Sequence, residues 1–389
     1  MPDAVICAAV RSPVGKRGGG LAGTHPVDLS AHVLNALIEA SGIDPAVVDD
    51  VIWGCVSQVG EQTYNIGRNA VLAAGWPESV PGTTIDRQCG SSQQSVHFAA
   101  AAVLSGQCEV VVAGGVEVMS RVPMGSSVGT SLGTGTGTGL PLGPMFMQRY
   151  DGVFPNQGVG AELIAQRWNL SRTQLDTYSL ESHAKAAAAQ DAGLFEAEIA
   201  PIPTEAGMVK ADEGIRRGST VDKLGTLPTP FADAGVITAG NASQISDGSA
   251  ALLVTTLDRA AQLGLRPLVR VHTAVLAADD PVIMLTAPIP ATAKALAKSG
   301  LRIDEIGTFE VNEAFAPVPL AWLAETGADP TRLNPQGGAI ALGHPLGGSG
   351  ARLMTTLIHR MRRDGIRYGL QTMCEGGGMA NATILELAS

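Results

Sequence analysis

Three stretches of this chain place reactive side chains among glycines, and a fourth places polar side chains at a strand end. Cys89 lies in Thr84-Ile85-Asp86-Arg87-Gln88-Cys89-Gly90-Ser91-Ser92, ahead of an Ala-rich helical run over about residues 93–104. Backbone N–H groups and the positive end of a helix dipole at such a place favour a thiolate. A free Cys is also often a small buried hydrophobe, so this stretch alone leaves both readings open. His344 is a lone imidazole in the run from Asn334 to Gly350, whose glycines let backbone and ring approach a ligand closely. Cys374 precedes Glu375-Gly376-Gly377-Gly378 at a predicted strand end, and Asn312-Glu313-Ala314-Phe315 follows another. Strand ends are the usual address of α/β active sites. Glu313 suits either a base or a buried support, and support is the expectation.

Two thiols, an imidazole and an amide suit acyl transfer. One thiolate attacks a carbonyl and holds the acyl group, the imidazole assists its deprotonation, and the second thiol moves a proton. Oxyanions at the reacting carbonyls need donors, which the N–H groups of Cys89 and Gly376 and the His344 ring supply; where measured in other enzymes each such donor is worth ~3 kcal/mol.

These groups need a frame to bring them together. Residues 3–10 read as a buried strand, Pro26 to Ser41 as an amphipathic helix stopped by Gly42, and residues 44–50 as a short acidic helix. Val51 to Val56 and Glu109 to Gly115 read as strands, with a helix from Asn65 to Ala74 between them. From about Met119 to Gln244 the texture changes. Residues 125–139 are Gly/Ser/Thr-rich and read as a loop, helices follow over residues 158–168 and 172–192, and a Pro-rich segment runs to Ala239. A buried strand resumes at Asp247.

An internal repeat orders the whole. Ser41-Gly42-Ile43-Asp44 and the strand at Asp50 recur as Ser299-Gly300-Leu301 and the strand at Thr308, and the strands at Val110 and Leu252 recur at Tyr368–Met373 and Met379–Leu387. Cys89 and His344 fall at about the same point of the two copies. Pseudo-symmetric packing then brings both to one cleft. The predicted domains are an N-terminal half (1–118 and 246–265), an inserted loop domain (119–245) and a C-terminal half (266–389).

The bulk numbers narrow the partners. The 389 residues carry a net charge of -10 and no polybasic block, which argues against nucleic acid or an anionic membrane. Charged residues make up 16%, below the roughly 25% of an average domain, so subunit contacts are expected to cover part of the surface. Five scattered cysteines form neither a disulfide framework nor a zinc site and suit the cytoplasm. No secretory leader is expected at the N-terminus, and no apolar run is long enough to span a membrane.

With these motifs assembled, the chain resembles the thiolases, acyl-CoA acetyltransferases, along essentially its whole length. Cys89-Gly90-Ser91-Ser92, Gly114 to Ser120, Gly240-Asn241-Ala242-Ser243, Asn312 to Phe315, Asn334 to Gly350 and Cys374-Glu375-Gly376-Gly377 carry the likeness. The resemblance implies an α/β fold of five αβαβα layers, made from two duplicated halves with an inserted loop domain over coenzyme A. It implies Cys89 as the acylated nucleophile, His344 as its activator and Cys374 as acid and base. Asn312 would hold a water that forms one oxyanion hole with His344, and the N–H groups of Cys89 and Gly376 the other.

By the same resemblance Arg216 and Lys223 lie near the nucleotide of CoA, Leu227 and Phe231 flank its adenine, and Ser243, Met284 and Phe315 line the pantetheine tunnel. CoA and acyl-CoA are substrates; no permanently bound cofactor or metal is expected, and a homo-oligomer, dimer or tetramer, is. Biosynthetic acetoacetyl-CoA thiolases usually carry His-Met-Gly where this chain has Asn156-Gln157-Gly158. Thiolysis of a medium or bulky 3-ketoacyl-CoA, in fatty-acid or sterol side-chain β-oxidation, is therefore expected ahead of acetoacetyl-CoA synthesis. A papain-like hydrolase would follow the nucleophile with Cys-Trp, and a decarboxylating ketoacyl synthase lacks the second Cys. A non-catalytic acyl-CoA-binding member of the fold would lose one of the two thiols, which are both present.

Overall fold

A computed structural model describes residues 3–128 and 141–388, so most of the predicted loop over residues 125–139 lies outside the described residues. The first half runs β1 (Ala4–Arg11), β2 (Gly15–Lys16), α1 (Pro26–Ser41), β3 (Asp50–Gly54), α2 (Ile66–Ala73), β4 (Gly82–Ile85), α3 (Ser91–Ser105) and β5 (Val110–Val118). There follow α4 (Pro144–Arg149), α5 (Gln157–Arg167), α6 (Arg172–Asp191), the hairpin β6 (Ile202–Thr204) and β7 (Gly207–Val209), and α7 (Val221–Gly225). The core resumes with β8 (Ser246–Thr256), α8 (Leu257–Gln262), β9 (Val269–Ala278), α9 (Pro288–Ser299), β10 (Thr308–Val311) and α10 (Pro317–Thr326). It ends with α11 (Ala339–Leu342), α12 (Leu346–Asp364), β11 (Tyr368–Glu375) and β12 (Met379–Leu387).

Strand order makes the duplication explicit. One half reads β4-β3-β5-β8-β1 and the other β10-β11-β12-β9, joined edge to edge where β1 pairs with β9. In both halves the first central pair is parallel (β3 with β5, β10 with β11) and the next antiparallel (β5 with β8, β11 with β12). The partner of β4 in the second half is reduced to a single parallel bridge between Phe309 and Leu333. Strands β5 and β8 are buried along nearly their whole length because both sheet faces are covered.

The helices supply the remaining layers. Against one face, α1 and α2 bury Leu29, Val33, Leu34, Leu37 and Val71. Against the far face of the second half, residues of α9 and α10 such as Ala291, Ala295 and Trp322 pack on Phe309 and Ile384. Between the halves lie α3 and α12, where Val96, Ala99 and Val103 meet Met354, Leu357 and Ile358. The result is the expected five-layered arrangement with two buried central helices. Helix α1 begins with Pro26 in its first turn and ends at Gly42 in the left-handed region (φ 74°), as its sequence predicts.

The expected acidic helix over residues 44–50 is only a three-residue 3₁₀ turn, Pro45–Val47, capped by Asp44. Chain that would have extended the helix is drawn into β3 from Asp50 onward by pairing with β5.

Candidate active site

Two of the predicted chemical groups, Cys89 and His344, sit just before a central helix, and the other two, Asn312 and Cys374, sit at the ends of β10 and β11. The loop from β4 to α3 turns through Gln88, a non-glycine residue at φ 48°, and presents Cys89 two residues before the helix. His344 comes two residues before α12, the pseudo-equivalent place. Asn312 follows β10 and hydrogen-bonds through its N–H to Thr372 O on β11 at 3.1 Å, two residues before Cys374. Across the hairpin, a Cβ added at Gly376 would stand 3.1 Å from Gln88 Cγ, so the Cys374–Gly376 strand end abuts the Cys89 loop. Cys89, Cys374, His344 and Asn312 are all buried.

The imidazole is held in one tautomer. Ser349 Oγ donates to Pro345 O at 2.8 Å, so at 2.6 Å from His344 Nδ1 it must accept, and the proton lies on Nδ1. That leaves the lone pair on Nε2, which faces Asn312 Nδ2 at 3.4 Å. Burial first, and then the Arg352 charge, lower the His344 pKa to about 3, so the ring is neutral at physiological pH. Asn312 Oδ1 is buried without a hydrogen-bond partner among the described residues.

The thiols carry the largest difference from the sequence reading. A thiolate favoured by the α3 dipole was the expectation for Cys89, but burial, reinforced by the Glu375 charge, pushes its pKa up to about 12. A hydrogen bond from the Gln157 side chain acts the other way without offsetting it. Cys89 is therefore a neutral thiol, and His344 a neutral imidazole. Cys374 is raised well above the usual thiol value by burial and then by Cys89 itself, which places the two sulfurs within Coulombic reach.

A cavity of about 570 Å³ opens on Cys89, lined among others by Val56, Gln157, Phe231, Phe315 and Leu346. It falls within the ~300–1,000 Å³ typical of small-molecule sites. Of the predicted CoA residues, Phe231 and Phe315 line it, stacked edge to face at 6.3 Å, and Met284 is buried in the same apolar cluster. Ser243 pairs its N–H with Ala314 O, one residue from Phe315. Arg216 and Lys223 are exposed on the segment around α7, away from the cavity lining, and Leu227 packs near Gly240. Among the described residues no group of three His, Cys, Asp or Glu is arranged to hold a metal.

Glu313 has the supporting role expected of it. Its carboxylate accepts from Tyr178 Oη, Ser182 Oγ, Asn334 Nδ2 and Ile340 N, which pins the loop leading to His344. Two further supports were not singled out in the sequence. Ser349 fixes the imidazole, and its only signal was its place in the glycine run. Glu117 accepts from Val56 N, Ser57 N, Gln62 Nε2 and Gly347 N, tying a loop of the first half to the start of α12. Asn156 caps α5 through Gly158 N and Val159 N, which aims the next residue, Gln157, at Cys89.

Fold and site together define a two-half α/β protein with paired thiols at the junction. Residues 4–258 match the family described as "Thiolase, N-terminal domain" and residues 265–387 "Thiolase, C-terminal domain". The chain belongs to the thiolase family. It is 52% identical over 386 residues to the steroid 3-ketoacyl-CoA thiolase FadA6 of Mycobacterium tuberculosis, covering 99% of this chain and 94% of that relative. It is 41% identical over 399 residues to the 3-ketoacyl-CoA thiolase FadA of Escherichia coli K12, covering 99% of this chain and all of that one. A 3-ketoacyl-CoA thiolase of Erwinia tasmaniensis is likewise 41% identical over 397 residues.

Proposed function

We propose that this protein cleaves 3-ketoacyl-CoA with CoA, giving acetyl-CoA and an acyl-CoA two carbons shorter, and catalyses the reverse Claisen condensation. Cys89 Sγ attacks the 3-keto carbonyl while its proton passes to His344 Nε2. The C2–C3 bond breaks, its electron pair leaves as the acetyl-CoA enolate, and Cys374 protonates that carbon. The acyl group remains on Cys89. In the second half, Cys374 takes the proton of an incoming CoA thiol, CoA attacks the acyl-cysteine, and the expelled Cys89 recovers its proton from His344. The observation that carries this reading is the burial of two thiols, distant in the chain, on segments that abut where Gly376 meets Gln88.

Because Cys89 is raised and His344 lowered, a stored thiolate–imidazolium pair is disfavoured. Proton transfer accompanies attack, when the carbonyl oxygen takes the charge. Asn312, with its buried unpartnered Oδ1, suits the holding of a water that joins His344 in one oxyanion hole. The Cys89 and Gly376 N–H groups form the other. The segment over residues 119–245 acts as the loop domain covering CoA, with Arg216 and Lys223 toward its phosphates, Leu227 and Phe231 at the adenine, and Ser243, Met284 and Phe315 along pantetheine.

The preferred acyl group is bulky, polycyclic included. Support comes from Gln157 at the place of the usual methionine and from the name of the 52% identical relative. A kinetic series in the thiolysis direction tests it. Medium or polycyclic 3-ketoacyl-CoAs should exceed acetoacetyl-CoA in kcat/KM by about tenfold or more, since even a few buried methylenes are worth 1–3 kcal/mol. Efficient cleavage of acetoacetyl-CoA alone would reverse the assignment. The free cysteines suit a reducing cytoplasm, and β4 at the end of the strand order suits a homo-oligomer, dimer or tetramer.

A further inference from the structure

We infer that Glu375 is a positioning residue that works as a neutral carboxylic acid between the two oxyanion donors, and that its ionisation slows the chemistry of Cys89. The inference rests on Cys89 being the acylated thiol. Glu375 ends β11, fully buried, and its backbone runs directly into Gly376. Its side chain reaches across to the other half. A Cβ added at Gly90 would overlap the Glu375 carboxylate and stand 2.5 Å from Asn381 Oδ1, so the carboxyl lies against the backbone that follows Cys89. One side chain thus spans from the residue before one donor, Gly376, to the residue after the other, Cys89.

No side chain hydrogen-bonds either Glu375 oxygen among the described residues, the Asn381 backbone N–H being the group that favours its charge, and the two side-chain polar atoms of Asn381 are likewise unpartnered. A buried carboxylate left so would cost far more than a buried acid. The charged and titratable groups around it are Arg87 and Asp86 from the β4–α3 loop and the two thiols; His97 on α3, which bonds to Thr383 on β12, is itself neutral. Arg87, the cation among them, sends Nη1 to Met379 Sδ at 3.8 Å. Burial outweighs that cation and raises Glu375 to about 8.

The consequence follows from sign. Acyl transfer builds negative charge on Cys89 Sγ and on the oxyanion between Cys89 N–H and Gly376 N–H. A second negative charge against Gly90 opposes both, in the same direction as its upward push on Cys89 and Cys374. A protonated Glu375 keeps the spacing of the donors without that repulsion. Above its pKa the same residue becomes an electrostatic brake.

The test is the rate of Cys89 alkylation by iodoacetamide from pH 6 to 10, in wild type and in Glu375→Gln, with alkylation located by peptide mass. Wild type should rise with pH and bend to a lower slope near pH 8. Glu375→Gln, neutral throughout, should rise without the bend and react about tenfold faster than wild type above pH 9, the equivalent of one pKa unit of coupling. An unbent wild-type profile, or a bend shared by both proteins, overturns the inference. The wild-type profile stands by itself if the variant does not fold. Acylation of wild-type Cys89 is scored separately: an acyl adduct with an unbent profile rejects only the Glu375 role, whereas a missing adduct rejects the thiolase chemistry on which it rests.

Discussion

At the scale of single residues, the site depends on protonation states that are set by contacts and not by residue type. His344 would be an ambiguous base without Ser349, whose own bond to Pro345 O obliges it to accept from Nδ1. Ser349→Ala removes that obligation and frees the ring to flip or change tautomer. It should lower kcat by about 100-fold, the low end of what a positioned base contributes, while leaving KM for CoA nearly unchanged. Ser349→Thr, which keeps the hydroxyl, should recover much of the loss. Steady-state kinetics of the two variants decide the matter, and an equal defect in both would reduce Ser349 to a packing role. Cys89 teaches the complementary lesson: the helix dipole was legible in the sequence, but the depth of burial that overrides it was not.

At the scale of elements, the glycine run before α12 is a packing device as much as a site. Gly347 lets the helix start touch the first half so closely that an added Cβ would lie 2.6 Å from Val116 O, 2.7 Å from Cys55 Cα and 2.8 Å from Gly54 O. All are backbone atoms, which yield little. Gly347→Ala should destabilise by about 1–3 kcal/mol, seen as a lower denaturant midpoint at unchanged slope. A midpoint equal to wild type would mean that the junction relaxes freely. The helices α1 and α6 and the strands β1, β5 and β8 were readable because their periodicity or apolar continuity matches their surroundings. The segment at Pro45 is a three-residue turn and not a helix because pairing of β3 with β5, a long-range contact that local sequence does not carry, decides where it ends. In the site, Cys89, His344 and Cys374 stand out by their glycine settings and Asn312 by its place at a strand end. Ser349, Glu117 and Glu375 do not, since their roles come from partners 5 positions away for Ser349, up to 230 for Glu117, and in the other half of the chain, at Gly90, for Glu375.

At the scale of the molecule, duplication explains why the chemistry lies where it does. Two copies of one strand order join at β1 and β9, each offers the start of a central helix to the junction, and the copies have diverged to carry a thiol in one and an imidazole in the other. The second thiol comes from the strand end facing them, and a carboxylate from each side, Glu117 and Glu313, holds the loops in place. Neither half contains a complete site. The central claim, that this junction transfers acyl groups through Cys89, is tested most directly by intact-protein and peptide mass after mixing with a 3-ketoacyl-CoA in the absence of free CoA. Wild type should gain the mass of one acyl group two carbons shorter than the 3-ketoacyl group, located on Cys89 and discharged by added CoA, and Cys89→Ala should gain none. An adduct on another cysteine, or no adduct while acetyl-CoA is still released, would contradict the account.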